Sequence, residues 1–488
     1  MTARTIEDEA VVAERERKQY VKMTQTSIPR LIIGLGIPTT LSMMVTSLYN
    51  LADTYFVSLL GDDAVTAAAS NLLALMSIIQ AIGFTFGMGS GSIISRLLGK
   101  RDREGADKVF SSSLFISCIC GVLILTLGFA FFTPMLRLLG SKATDVLVYS
   151  KQYARFILIA APFMCMSFVL NNVLRAEGKA VLSMIGLIVG AVVNVVLDPI
   201  LIFAADMGIT GAAIATCVSQ SLSFFILLFM FLSGKTVVRF RFRSISREFQ
   251  TYGEVISTGF PSFCRQILAS LCTVFLNSAA FDCGVAHYGT EEGGKAAQAA
   301  LGVVQKVFML AFSTALGIGQ GYQPVLGYNY SAKRFDRVKS AYLFTLAFSS
   351  CVMTVFALVC GFSSSLIMQA FSLSPEATEI GALALKLQCI CMPLLPLNFM
   401  ASVTYQSVGS KAIASLLSVS RQGLFYIPAV LILPKAFGLI GVQSCQALSD
   451  LFAFFFAIPF TIMFLNTVKR EQKKANEELE RVETPTLE

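Results

Sequence analysis

The sequence predicts an all-α integral membrane protein with twelve membrane-spanning helices. Of its 488 residues, 55% are hydrophobic and only 14% are charged, whereas soluble domains carry about 25% charged residues. The mean hydropathy is +0.70. Apolar runs longer than the ~20 residues that cross a bilayer as a helix recur along almost the whole chain. We expect the twelve spans near residues 30–58, 70–95, 109–133, 147–174, 182–204, 209–233, 252–280, 297–326, 338–362, 380–408, 412–434 and 438–466.

The positive residues predict how the spans are oriented. Lys and Arg cluster in three loops on one side, at residues 96–108, 235–247 and 333–339, while the loops on the other side carry few. Because cytoplasmic loops carry the excess of positive charge, we expect both termini in the cytoplasm. The polar residues 1–29 do not resemble a signal peptide. The net charge of +8 then reflects topology and anionic lipid headgroups, and nucleic acid is not an expected partner.

The chain contains an internal repeat with an offset of about 230 residues. The G-x-G-x-G run at 87–91 recurs at 317–321, and Pro162 matches Pro393. Six spans precede the repeat, so the halves share one orientation and should be related by an axis along the membrane normal, with a cavity between them. The predicted organisation is a cytoplasmic tail at 1–29, an N-lobe of spans 1–6 at 30–233, a basic cytoplasmic linker at 234–251, a C-lobe of spans 7–12 at 252–466, and a cytoplasmic tail at 467–488.

Several motif classes are missing from the sequence. The single histidine, His287, and the twelve scattered cysteines form no zinc-type or nucleophile-type motif. A G-x-x-x-x-G-K-[ST] loop is absent, so the chain is not expected to hydrolyse ATP. The G-x-G-x-G runs lie within spans, where they predict close helix packing by small residues instead of phosphate binding. We therefore expect neither an enzyme nor a bound cofactor.

Two aspartates inside predicted spans are the strongest functional signal. Asp53 in span 1 and Asp198 in span 5 both lie roughly 8–9 Å below the same membrane boundary, at ~1.5 Å per residue. A carboxylate within a span costs several kcal/mol, so such residues usually face a bundle interior or a wet cavity. Each could instead cap a kink or hold a structural hydrogen bond. Their matched depth favours one shared site.

Other polar residues reach the same depth. They are Asn50, Tyr153, Asn194 and Thr216. Pro199 cannot donate a backbone hydrogen bond, which frees a carbonyl beside Asp198. Two carboxylates in a poor dielectric repel each other, so the pair can take up a proton. Equally, a set of oxygen ligands suits a hard cation such as Na⁺. The sequence leaves H⁺ and Na⁺ open, and either would neutralise the site.

Four stretches resemble the multidrug and toxic compound extrusion (MATE) family. They are IPTTLSMMVTSLYNLADTYFVSLLG, GMGSGSIISRLLGKRDREGADKVF, LRAEGK and NVVLDPILIF. The resemblance covers residues 28–466 and implies two six-helix lobes around a V-shaped central cavity. It also implies export of cationic amphipathic drugs in exchange for H⁺ or Na⁺. The family's N-lobe coupling site falls on Asp53, Asn194, Asp198 and Thr216, with Tyr153 as a weaker match. We expect a monomer in the plasma membrane.

The predicted C-lobe departs from one branch of this family, which uses acids in spans 7 and 10. Span 7 contains Arg265 and span 10 contains Lys386, without an acid in either. Lys306, Arg421 and Asp450 also lie in C-lobe spans. We expect Arg421 and Asp450 to form a structural ion pair between spans 11 and 12. No cation site is predicted in this lobe.

Residues that contact the substrate are only weakly marked. Methionine-rich surfaces adapt to varied ligands, and the candidates are Met43, Met44, Asn50, Asp53 and Met164. A major facilitator transporter is disfavoured because GKRDREGADK does not match its G-x-x-x-D-R-x-G-[RK]-[RK] loop. An aspartyl intramembrane protease would need a paired G-x-G-D-type motif, which neither aspartate carries. The remaining alternative is a lipid or lipid-linked precursor flippase of the same superfamily.

Overall fold

The computed structural model describes residues 3–60, 63–141, 143–371 and 374–483. Throughout these residues every regular element is a helix, which confirms the predicted all-α class. Residues 1, 2 and 484–488 of the two predicted tails lie outside the described residues.

The spans follow the predicted order. Spans 1 to 6 are Ile28–Ser58, Asp63–Gly99, Arg103–Ala130, Thr144–Ala176, Ala180–Pro199 and Gly208–Leu232. Spans 7 to 9 are Phe249–Tyr288, Glu291–Ser331 and Phe335–Phe362, and span 10 consists of Pro375–Cys391 and Leu395–Val408 joined by the 3₁₀ turn Met392–Leu394. Span 11 begins as Lys411–Val419. Short helices, Phe132–Leu138 and Ser364–Ala370, lie between spans 3 and 4 and between spans 9 and 10.

Spans 11 and 12 are joined without a loop. After the π-helical segment Ser420–Tyr426, a continuous helical stretch runs as Ile427–Glu483. The described residues therefore contain eleven separate apolar segments, of which Lys411–Glu477 has 67 residues. At ~1.5 Å per residue a straight helix of this length would measure about 100 Å, far more than one bilayer. Gly438 breaks it with φ 57° and ψ −133°, a conformation open mainly to glycine, so two spans result and the total is twelve.

Small residues bring the two lobes together at the end where both chain termini lie. A Cβ on Gly259 of span 7 would clash with the Thr85 carbonyl oxygen of span 2, so the two backbones touch. In the same half of the molecule, a Cβ on Gly317 of span 8 would meet the span 1 backbone. The Ser47 and Ser313 hydroxyls, 2.6 Å apart, join spans 1 and 8. The close packing predicted for the glycine runs is confirmed.

The N-terminal tail is more ordered than a solvated segment. The helix Ala3–Gln25 packs against the end of span 8. Its Val12 and Met23 are fully buried, and Asn329 Nδ2 donates to the Met23 carbonyl over 3.0 Å. The apolar side chains on one face of this helix explain why it docks on the bundle.

The segment between the lobes is held against the N-lobe by its own backbone. The amides of Val237 and Val238 donate to the buried Glu177 carboxylate over 3.0 and 2.7 Å. Farther along, the Ser246 amide donates to Ser112 Oγ over 2.8 Å. Span 7 begins at Phe249, slightly before the end of the predicted linker. Most of this segment is therefore fixed to the N-lobe.

Candidate functional site

The five residues predicted for the N-lobe site come together from four spans. The Tyr153 hydroxyl of span 4 donates to Asp53 Oδ2 of span 1 over 3.3 Å. In span 5, Asn194 Nδ2 donates to Asp198 Oδ1 over 3.4 Å and to Thr216 Oγ1 of span 6 over 3.5 Å. Tyr153 also interacts with Thr216 and with both carboxylates. The equal depths predicted from the sequence thus correspond to a single cluster.

The cluster contains more acceptors than donors. Asp53 Oδ1, Asn194 Oδ1 and Asp198 Oδ2 are buried and lack hydrogen-bond partners. Asp198 is fully buried and Asn194 nearly so, while Asp53 is half-buried. Within the described residues, neither carboxylate forms an ion pair with Lys or Arg. Unsatisfied buried oxygens cost free energy, so the cluster is suited to bind a proton or a hard cation.

The helix geometry changes directly after Asp198. Pro199 ends the regular part of span 5, and the π-helical turn Ile200–Ala204 follows. The Ala205 amide donates to the Ile200 carbonyl over 2.9 Å, which is the wider i→i+5 pattern. Such π-turns are frequent at functional sites. Proline at this position removes one backbone donor, which explains why the α-helical pattern ends here.

Two further residues complete the cluster and were missed in the sequence. Gln220 Nε2 donates to the Tyr49 hydroxyl over 3.2 Å, and Tyr49 interacts electrostatically with both aspartates. Tyr49 precedes Asp53 by one helical turn, and Gln220 follows Thr216 by one turn. The i,i+4 spacing would have identified both, because residues one turn apart share a helix face.

The candidate substrate residues differ in exposure. Met43 is 8% exposed, and its neighbour Met44 is half-buried, as is Asn50. Met164 is only 2% exposed and belongs to the N-lobe core that also contains Tyr153. Contact of these residues with a substrate stays a prediction.

The C-lobe contains the expected ion pair. Arg421 Nε donates to Asp450 Oδ1 over 2.6 Å, and Gln446 Nε2 donates to the same oxygen over 3.0 Å. Both charged side chains are buried. The Arg421 guanidinium also lies 5.1 Å from the ring centre of Phe308. The predicted link between spans 11 and 12 is confirmed.

Known proteins match most of the chain. The MatE family model matches residues 38–200 and 266–432. The multidrug export protein MepA of Staphylococcus haemolyticus is 26% identical over 428 residues, which are 87% of this chain and 91% of that protein. MepA of Staphylococcus aureus is 25% identical over 429 residues, with the same coverage.

Solved structures match equally well. An outward-facing multidrug resistance MATE family transporter superposes with a TM-score of 0.85 at 26% identity, covering 92% of this chain and 98% of that one. A MOP superfamily transporter from Pyrococcus furiosus Vc1 also gives 0.85, at 27% identity, over 93% and 99% of the two chains. The two ranges matched by the family model lie one in each half of the repeat.

Proposed function

Because this chain belongs to the MATE family, whose members are transporters and not enzymes, we propose that it is a secondary active multidrug exporter. It exchanges entering H⁺ or Na⁺ for cationic amphipathic compounds that leave the cell. The exchange proceeds by alternating access of the central cavity.

The observation that carries this proposal is the set of three buried, unpartnered oxygens around Asp53 and Asp198. A proton or Na⁺ bound there, with Asn194, Thr216 and Tyr153 as further oxygen groups, neutralises the cluster and changes which arrangement of the spans is more stable. A cationic drug is attracted by the same carboxylates. Drug and coupling ion therefore compete, and competition for one site is what an exchanger requires.

The proposed function also includes the membrane location of the protein and its contacts with the drug. The protein acts as a monomer in the plasma membrane with both termini in the cytoplasm, in keeping with its basic loops. The closed end is then cytoplasmic and the cavity opens outward. Met43, Met44, Asn50 and Met164 contribute to the wall that contacts the drug.

The test is ethidium transport by the purified protein in liposomes under separately imposed pH and sodium gradients. We expect one of the two gradients to drive accumulation. We expect Asp53→Asn to abolish the response of transport to the gradient, because the neutral amide, unlike a carboxylate, does not bind a proton or attract a cation. Asp282→Asn, an exposed aspartate of span 7, is the matched control. Unchanged ion-driven transport by Asp53→Asn at equal protein amounts would refute the proposal.

The alternative is a flippase for lipids or lipid-linked precursors. It is favoured by Arg265 of the C-lobe, whose Nη1 is buried without a partner and suits an anionic headgroup better than a cationic drug. The same liposomes, loaded with a fluorescent anionic lipid, decide between the two. Lipid transfer between leaflets without gradient-driven ethidium transport would favour the flippase.

A further inference from the structure

The C-lobe contains a small cavity of opposite character to the N-lobe cluster. It is lined by Arg265, Phe312, Asn398, Phe399, Arg421 and Gln422, among others. Its free volume is about 20 Å³, enough for the oxygens of one small group but not for a whole drug. The cavity therefore suits a single functional group of a larger ligand.

Arg265 has unused hydrogen-bonding capacity in this cavity. Its Nη1 is buried without a partner, and its Nη2 reaches only Ser262 Oγ, over 3.4 Å. Its guanidinium lies 5.3 Å from the ring centre of Phe399. Across the described part of the chain, no carboxylate pairs with it, whereas Arg421 is paired with Asp450. A guanidinium offers five N–H donors and keeps its charge, so unpaired donors favour an anionic partner.

Arg265 lies closer to the lobe contact between spans 1 and 8 than the acidic cluster does. Phe312, which lines the cavity of Arg265, is next to Ser313, whose hydroxyl meets Ser47 of span 1. Asp53 follows Ser47 by six residues, so at ~1.5 Å per residue it starts about 9 Å beyond this contact, and a ligand that reaches both sites must cover that height. One lobe thus contributes uncompensated negative charge, and the other contributes uncompensated positive charge.

We propose that Arg265 forms an anion-binding subsite that takes the carboxylate of zwitterionic amphipathic substrates. The N-lobe carboxylates bind the cationic part of the same molecule. Arginine matches a carboxylate through two parallel hydrogen bonds, and the neighbouring Phe399 offers an apolar surface to the rest of the ligand. This inference rests on the proposed function and specifies which substrates it includes.

The test compares two dyes that differ in one group. Rhodamine 110 carries a free carboxylate, and rhodamine 123 is its methyl ester. Equilibrium binding to the protein in lipid nanodiscs is measured by fluorescence anisotropy without a gradient. We expect Arg265→Gln to weaken rhodamine 110 about tenfold or more and to leave rhodamine 123 unchanged. Arg265→Lys should retain part of the affinity. Lys306→Gln, an exposed basic residue of the same lobe, should change neither dye.

Several results would overturn the inference. One is equal weakening of both dyes by Arg265→Gln, which would indicate a structural role. Another is no change in either dye. A third is a chloride dependence of dye binding that is lost in Arg265→Gln, while the substitution weakens rhodamine 110 no more than rhodamine 123. That result would assign the site to an inorganic anion. Failure of the exporter function is detected separately, as gradient-independent transport of rhodamine 123 by the unmodified protein in liposomes.

Discussion

The two lobes place polar side chains at matching positions but use them differently. When the halves are aligned on their repeated glycines, Thr216 of span 6 corresponds to Gln446 of span 12, and Gln220 corresponds to Asp450. In the C-lobe the acid is neutralised by Arg421 and accepts a further bond from Gln446. The N-lobe acids have no basic partner in the described residues and retain unpartnered oxygens. Charge compensation, and not burial alone, therefore distinguishes a structural aspartate from one that is available to an ion.

The backbone is more similar between the lobes than the side chains are. Span 5 contains the π-helical turn Ile200–Ala204, and its counterpart span 11 contains the π-helical segment Ser420–Tyr426. Asp198 lies before the first, and Arg421 lies within the second. Each lobe thus has a π-helical segment in its fifth span, which is next to a negative charge in the N-lobe and contains a positive charge in the C-lobe.

The largest effects are expected from the same amide substitution in each lobe. Asp198→Asn should abolish the response of dye transport to an imposed ion gradient without lowering stability, because it removes an uncompensated charge. Asp450→Asn should keep the ion response but cost about 3–5 kcal/mol, since Arg421 is left buried and unpaired. Gradient-driven transport per folded protein and thermal unfolding of both variants provide the measurement. Identical behaviour of the two variants would show that the lobes do not differ as described.

A smaller effect is expected when both charges of the C-lobe ion pair are removed together. The double variant Arg421→Met/Asp450→Leu should regain most of the stability lost in Asp450→Asn, because an apolar pair of similar volume often replaces a buried ion pair without loss. Unfolding temperatures of the single and double variants test this. If the double variant is less stable than either single one, the pair does more than neutralise itself.

The third prediction concerns the contact between the lobes. Gly259→Ala should disfavour closure at the end bearing the chain termini, because its Cβ would clash with the Thr85 carbonyl oxygen. Overpacking of this kind costs about 1–3 kcal/mol, enough to change the ratio of the two conformations about tenfold. Distances between spin labels on the two lobes report the change. Gly253→Ala, in the same helix with nothing within 4 Å, is the control and should leave the distances unaltered.

The smallest effect is expected at Tyr49, one of the two cluster residues that were missed in the sequence. Tyr49→Phe removes one neutral hydrogen bond, from Gln220, worth about 0.5–1.5 kcal/mol. It should therefore weaken the ion dependence of transport by less than about tenfold. Tyr405→Phe, in span 10 of the C-lobe, is the control and removes a bond to the Phe460 carbonyl. A change in ion dependence for Tyr405→Phe, and none for Tyr49→Phe, would contradict the assignment of the ion site to the N-lobe.

Depth in the membrane could be predicted from the sequence, whereas contacts around the helix axis could not. Counting residues from the span ends was sufficient to group Asp53 with Asp198, because the helical rise is constant. The i,i+4 spacing places Tyr49 on the helix face of Asp53 and Gln220 on that of Thr216, but the hydrogen bond between Tyr49 and Gln220 depends on how spans 1 and 6 pack. Similarly, the sequence predicted where span 12 begins but not the helix break at Gly438, because only Lys435 interrupts the two apolar runs.

The anchoring of the interlobe segment limits how far the lobes can move apart. Ser246 is bonded to the N-lobe through Ser112, and the first helix of the C-lobe begins at Phe249. The two residues between them span about 7–10 Å when fully extended. This short connection keeps the two lobes together at one edge. Any relative motion of the lobes that leaves the Ser246–Ser112 bond intact is therefore limited there by covalent length.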